Sequence, residues 1–118
     1  MTNGRRGKDV AAVWAPLSEA DFLKQVTQLA EIRQWSWLHL RPAMTQHSWR
    51  TPISGPLGKG WPDLLLVRRE RILFVELKRE GAKPTPEQVD VLGILGGVGE
   101  TAVWWPQDWE TIERVLRW

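Results

Sequence analysis

The sequence predicts an α/β (α+β) domain, a mixed four-stranded sheet with helices on both faces. Three observations lead there. Two continuous apolar runs, Leu64-Leu65-Leu66-Val67 and Ile72-Leu73-Phe74-Val75, flank a charged turn at Arg69-Glu70-Arg71. Runs without polar alternation belong to strands buried on both faces. Apolar residues at helical spacing lie on either side, at Phe22, Val26, Leu29, Ala30 and Ile32 and at Val89, Leu92, Ile94 and Leu95. Finally, 118 residues with 42% hydrophobic and 25% charged side chains suit one domain with one core.

Each element has its local reason. Residues 1–17 read as a flexible basic lead carrying Arg5, Arg6 and Lys8, and residues 18–118 as a single domain. Ser18 is an N-cap, with Glu19 and Asp21 placed to complement the helix dipole, so a helix is predicted over 19–34. Its outer face carries Lys24, Gln25, Gln28 and Arg33. A short strand follows from Trp35 to Leu40 and stops at Pro42. Residues 41–61 lack periodicity and read as one long loop, of a length that is usually functional or mobile. Residues 64–78 form a β-hairpin. Thr85 as N-cap and Pro86 at the first helical position start a helix that ends at Gly96-Gly97. A strand from Thr101 to Trp105 ends at Pro106. Asp108 then caps a last helix over 109–117, with Trp109, Ile112, Val115 and Leu116 inward.

Composition removes several function classes. Without cysteine there is no disulfide scaffold, thiolate zinc site or cysteine nucleophile. No apolar run approaches the roughly 20 residues that span a bilayer, and the N-terminus lacks the apolar core of a secretory signal. A soluble cytoplasmic protein with no membrane partner is expected. The net charge of +2 and the pI of 9.4 favour a polyanionic partner only weakly. The arginines at 68, 69 and 71 form either a phosphate-binding patch or a solvated hairpin tip. Nine tryptophans with no tyrosine are unusual. Trp35, Trp37, Trp104 and Trp105 adjoin predicted strands, where core or rim packing is expected before stacking on nucleobases.

Chemistry concentrates at one end of the hairpin. Asp63 precedes its first strand, and Glu76 and Lys78 close its second. Side chains two apart share a face of a strand, so Glu76 and Lys78 point together, Leu77 points oppositely, and Asp63 can meet them at the open end. Two adjacent carboxylates repel unless a cation lies between them. Hard oxygen ligands suit Mg²⁺, with Mn²⁺ as a substitute, and the Leu77 backbone carbonyl is a further candidate ligand. Such an ion polarises a phosphodiester and activates water, while Lys78 positions that water or offsets charge on the phosphorus. The plainer reading is a salt-bridge cluster at a hairpin end. Against it, charges appear abruptly where two apolar strands end together.

Longer motifs sharpen this. Gly60-Trp61-Pro62-Asp63-Leu64, then Phe74-Val75-Glu76-Leu77-Lys78, then Pro86-Glu87-Gln88, resembles the VRR-NUC branch of the PD-(D/E)xK nucleases, in particular its small stand-alone phage and bacterial members. Ser18-Glu19-Ala20-Asp21-Phe22 and Trp104-Trp105-Pro106-Gln107-Asp108-Trp109 extend the likeness over residues 18–117. The resemblance implies a restriction-endonuclease-like αβββαβ core and Mg²⁺- or Mn²⁺-dependent endonucleolytic hydrolysis of DNA, selective for branched, flap or junction structures. It also implies a bacterial or phage-infected cytoplasm, and homodimers like those of Holliday junction resolvases. Asp63 and Glu76 would bind metal, Lys78 would be the catalytic lysine, Gln88 would reach back from the following helix, and Glu19 would complete the metal shell.

The chain departs from the family pattern in two places. The stretch from Arg41 to Lys59 is longer, and Leu23 stands where a Gln is common, which leaves Asp21 as a rival to Glu19. For DNA contact, Lys59 and Lys83 flank the site in sequence, and His47 lies in the loop with Arg41 and Arg50. His39 is expected to pack near its strand. The competing reading is a non-catalytic module that binds branched DNA on the same scaffold.

Overall fold

Ser18 opens the first helix, its Oγ accepting the Asp21 N–H at 3.0 Å. Helix α1 then runs over Glu19–Ile32 and buries Phe22, Val26 and Ala30. It stops short of residue 34 because Gln34 turns to a φ of 65°. The Gln34 N–H donates to the Glu31 carbonyl and the Trp35 N–H to the Ala30 carbonyl, at 3.0 and 2.9 Å. This is a Schellman ending with glutamine where glycine is usual. Gln34→Gly is therefore expected to stabilise the protein by about 1 kcal/mol, by removing the left-handed strain of a Cβ. Thermal denaturation checks this, and an unchanged or lower melting temperature would count against it.

The structure, a computed structural model, describes residues 17–40 and 53–118, and between them the backbone of 43–44 and 49–50. The basic lead through residue 16 lies outside the described residues. The strands are β1 (Ser36–His39), β2 (Ala43–Met44), β3 (Trp49–Arg50), β4 (Leu64–Arg68), β5 (Arg71–Leu77) and β6 (Glu100–Trp104). The main sheet has the order β1-β4-β5-β6. β1 and β5 each pair antiparallel with β4, and β6 pairs parallel with β5. The parallel pair needs a crossover, supplied by helix α2 (Pro86–Leu95). Helix α3 (Trp109–Arg117) closes the chain.

Two layers of side chains follow from strand alternation. Leu64, Leu66, Leu73, Val75 and Leu77 pack under α1 and α3 with Phe22, Val26, Ile112 and Leu116. On the other face Phe74 packs on Val91, Leu92 and Leu95 of α2, with Leu57 and Trp61 against them. The architecture is therefore a mixed α/β fold, a four-stranded mixed sheet flanked by helices. None of the described helices is long and apolar enough to cross a membrane.

Several local expectations are corrected. Residues 41–61 are not one irregular loop: β2 pairs with β3 and a 3₁₀ turn spans Gly58–Gly60. Two-residue strands are too short to show periodicity. Trp35 precedes β1 and is buried, its indole N–H donating to the Leu116 carbonyl at 2.8 Å. Trp37 is exposed and bonds Glu31. Asp108 holds the N-cap position of α3 as expected but makes no side-chain capping bond there, because its carboxylate accepts the Trp105 N–H at 2.9 Å and caps the preceding 3₁₀ turn.

The hairpin turn is only Arg69-Glu70, since Arg71 already pairs with Arg68. Arg68 and Arg71 are not a solvated tip. Their guanidinium groups lie 4.5 and 5.0 Å from the Trp35 ring. Arg68 donates to the Arg33 and Leu116 carbonyls, while Arg71 grips Glu100 through two bonds of 2.7 Å.

Candidate active site

Strand register brings the first pair of carboxylates together. Leu64 stands opposite Val75 in the β4–β5 ladder, so Asp63, one residue before β4, stands opposite Glu76. Alternation turns both away from the α1–α3 core, which takes Leu64, Val75 and Leu77. The Asp63 N–H donates to Glu76 Oε1 at 3.3 Å, and Asp63 Oδ1 accepts the Leu77 N–H at 3.2 Å. The two acids thus grip one another's strands across the hairpin mouth.

Three further side chains converge. Lys78, two residues on along the same chain, brings its Nζ to 3.0 Å from Glu76 Oε2. Gln88 Nε2 donates to that oxygen at 3.1 Å. The same Gln88 makes a capping box at the start of α2: its Oε1 accepts the Thr85 N–H, and its own N–H donates to Thr85 Oγ. Both ends of the amide are fixed, so Gln88 is more than a surface helix residue. Glu19, at the first position of α1, completes a set of three carboxylates whose oxygens lie within 4.8 Å of one another. Asp21, the rival acid, is exposed and outside this set.

Charge is held here against its preference. Burial first, and the Glu76 carboxylate second, push the Asp63 carboxyl up to about 7, although the Leu77 N–H favours its charged form. Burial raises Glu76 as well, and Lys78 offsets part of that. Glu76 is only 3% exposed. A single lysine cannot neutralise three clustered carboxylates, so the donor set suits a hard dication: all oxygens, partly dehydrated, and short of positive charge.

The cluster forms part of the wall of a cleft of about 540 Å³. The cleft opens between the first turns of α1 and α2, whose N-terminal dipole ends favour an anion. Lys59 lies on its rim, ion-paired to Glu87 at 3.5 Å. Lys83 is exposed and does not line the cleft. Its segment is tied down by the Trp105 indole N–H, which donates to the Ala82 carbonyl at 2.7 Å. Arg41 and His47 lie outside the described residues, as does the side chain of Arg50.

Two cleft residues have no role assigned from sequence. His39 stands opposite Leu64 in the β1–β4 ladder and lines the cleft half-buried. Trp61 lines it too, packed edge-on against Phe74 at 5.7 Å. Pairing β1 antiparallel to β4 would have placed His39 near Asp63, but register between strands so far apart is not readable from pattern.

Comparison of the chain with family models, curated proteins and solved structures returns no match to any of them. The functional reading therefore stands on the geometry of the cleft.

Proposed function

We propose that this protein is a divalent-metal-dependent endonuclease of the PD-(D/E)xK type that hydrolyses DNA phosphodiester bonds, with selectivity for branched, flap or junction DNA. The observation that supports it most is the meeting of Asp63, Glu76 and Glu19 oxygens within 4.8 Å, with Lys78 Nζ and Gln88 Nε2 both on Glu76. The order α1-β1-β4-β5-α2-β6 is also the order that this reading expects, with the β2–β3 pair set between β1 and β4.

Each residue has a distinct task. Asp63 and Glu76 would hold Mg²⁺ or Mn²⁺, with Glu19 as a third carboxylate, direct or through water. The Leu77 N–H points to Asp63, and in an extended strand the carbonyl of the same residue points to the same edge, where it can serve as a ligand. The bound ion would supply a Lewis acid for the phosphodiester and a water of lowered pKa. Lys78, held 3.0 Å from Glu76, would orient the attacking water and offset negative charge on the phosphate. Gln88 fixes the Glu76 carboxylate, much as outer partners orient metal ligands. Lys59 on the rim is placed to contact a phosphate, and Lys83, Arg41, His47 and Arg50 are assigned to flanking ones. Phosphate contacts position a substrate without reading bases, consistent with selectivity for structure over sequence.

The test is cleavage of end-labelled linear, flap, fork and junction DNA with Mg²⁺, Mn²⁺ or EDTA. Metal-dependent products, most abundant from a branched substrate, are expected. Salt-sensitive binding without products in either metal would leave only a DNA-binding module. A melting temperature unmoved by millimolar metal would remove the ion site itself.

A further inference from the structure

The end of the sheet away from the cleft carries a second concavity, of about 310 Å³, lined by Arg33, Gln34, Arg68, Arg69 and Arg117. Helix α1 links the two places. It begins at Glu19 in the cleft and ends at Ile32 beside the arginines, and its 14 residues span about 21 Å at 1.5 Å each. Lys24, Gln25 and Gln28 are exposed between them.

Four guanidinium groups in one concavity need a reason. Arg68 has a structural one, its stacking on Trp35 and its bonds to the Arg33 and Leu116 carbonyls. Arg33, Arg69 and Arg117 have none of this kind. No carboxylate among the described residues forms an ion pair with any of the four. The C-terminal ends of α1 and α3 do point here, but each supplies only about half a negative charge. With the terminal carboxylate of Trp118, which also lines the concavity, roughly two negative charges thus face four positive ones. Two buried atoms, Arg33 Nε and Arg68 Nε, also lack a hydrogen-bond partner. An excess of positive charge lining a concavity suits an anionic ligand.

We propose that this arginine pocket binds a phosphate group, and that its occupant is a backbone phosphate of the DNA held in the cleft. The guanidinium fork matches phosphate oxygens two at a time, which an ammonium does not. Duplex DNA rises about 3.4 Å per base pair, so a contact about 21 Å from the cleft falls some six pairs from the cut. The DNA occupant rests on the nuclease reading. The phosphate chemistry does not, since a free phosphate or a phosphorylated small molecule would present the same oxygens.

Arg33→Gln, Arg69→Gln and Arg117→Gln, singly and together, test this, with Arg68 left in place. In EDTA, to exclude cleavage, the triple variant should bind labelled duplex and flap DNA about tenfold more weakly, and its salt slope should fall by about one for each phosphate no longer neutralised. In parallel, inorganic phosphate should raise the melting temperature of the wild type and not of the triple variant, against chloride of equal ionic strength. A lost phosphate response with unchanged DNA affinity supports the pocket and overturns the DNA occupant. Both responses unchanged overturns the proposal. A wild type that binds no DNA overturns the nuclease reading, while the phosphate response still decides the pocket. Arg69 and Arg117 are exposed, so their single variants carry the test if the triple variant fails to fold.

Discussion

Asp63→Asn is expected to abolish metal-dependent cleavage and, in the same protein without metal, to raise the melting temperature above pH 7. The amide keeps an acceptor for the Leu77 N–H, a bond of 3.2 Å in the wild type, so the hairpin mouth should stay closed. What it loses is a charge. The folded protein holds the Asp63 carboxyl at about 7, against 3.8 for the free side chain. Between those values the folded state binds more protons than the unfolded one, so stability falls as pH rises through that window. Below it both states are protonated and Asp63 contributes nothing; above it the full penalty stands. At 1.36 kcal/mol per unit, and allowing for relaxation, the penalty is of the order of 2–4 kcal/mol.

Removing it should raise the melting temperature by roughly 10 °C at pH 8 and hardly at all at pH 4. Metal should stabilise the wild type at pH 8 and leave the variant almost unaffected. Cleavage should fall at least about 100-fold, since even outer partners of metal ligands cost 10- to 100-fold. Wild-type turnover in the folded variant would remove Asp63 from the site. A lower melting temperature at pH 8 would show that its charge is compensated in the free protein.

Gly60→Ala should be the most damaging substitution of a residue with no chemistry of its own. Gly60 is buried in the 3₁₀ turn that packs on the first turn of α2. A Cβ there would stand 2.1 Å from the Glu87 carbonyl oxygen and 2.8 Å from Val91 Cγ2. The nearest obstacle is backbone, which cannot swing aside as a flexible side chain would. Either the turn retreats, taking Trp61 off Phe74 and shifting Asp63, or the first turn of α2 retreats with Gln88. Overpacking of this kind costs about 1–3 kcal/mol, at times more. A misplacement near 1 Å at the acids or at Gln88 can lower turnover about 100-fold. Thermal melting, and cleavage assayed well below the variant's transition, would separate the two effects. A variant with wild-type melting and turnover would show that turn and helix can part without disturbing the acids or Gln88.

The candidate site was largely legible in the sequence because it obeys local rules. Alternation along β5 put Glu76 and Lys78 on one side and Leu77 on the other, and antiparallel pairing across a short turn put Asp63 opposite Glu76. Thr85 and Pro86 announced the helix start, whereas a Gln88 that reaches back to the site was implied by the family resemblance alone, and its bond to Glu76 needs the tertiary placement of α2. What stayed hidden depends on segments far apart in the chain. Gly60 reads as a loop glycine until α2 is laid against it. Arg68 and Arg71 read as a turn until Trp35, the ends of two helices and Glu100 arrive around them. Asp108 reads as a helix cap because it lies next to one, yet the nearer Trp105 N–H takes its carboxylate.

The placement of β5 has a last consequence. It is an interior strand, hydrogen-bonded to β4 on one side and to β6 on the other, and the Lys78 N–H still reaches the Trp104 carbonyl at 2.9 Å. Amide protons there should exchange with solvent only when the whole molecule opens, more slowly than those of the edge strand β1. Glu76 and Lys78 therefore ride on the least deformable part of the protein, and any fitting between enzyme and substrate must come from the bending of the nucleic acid or from the cleft's other walls.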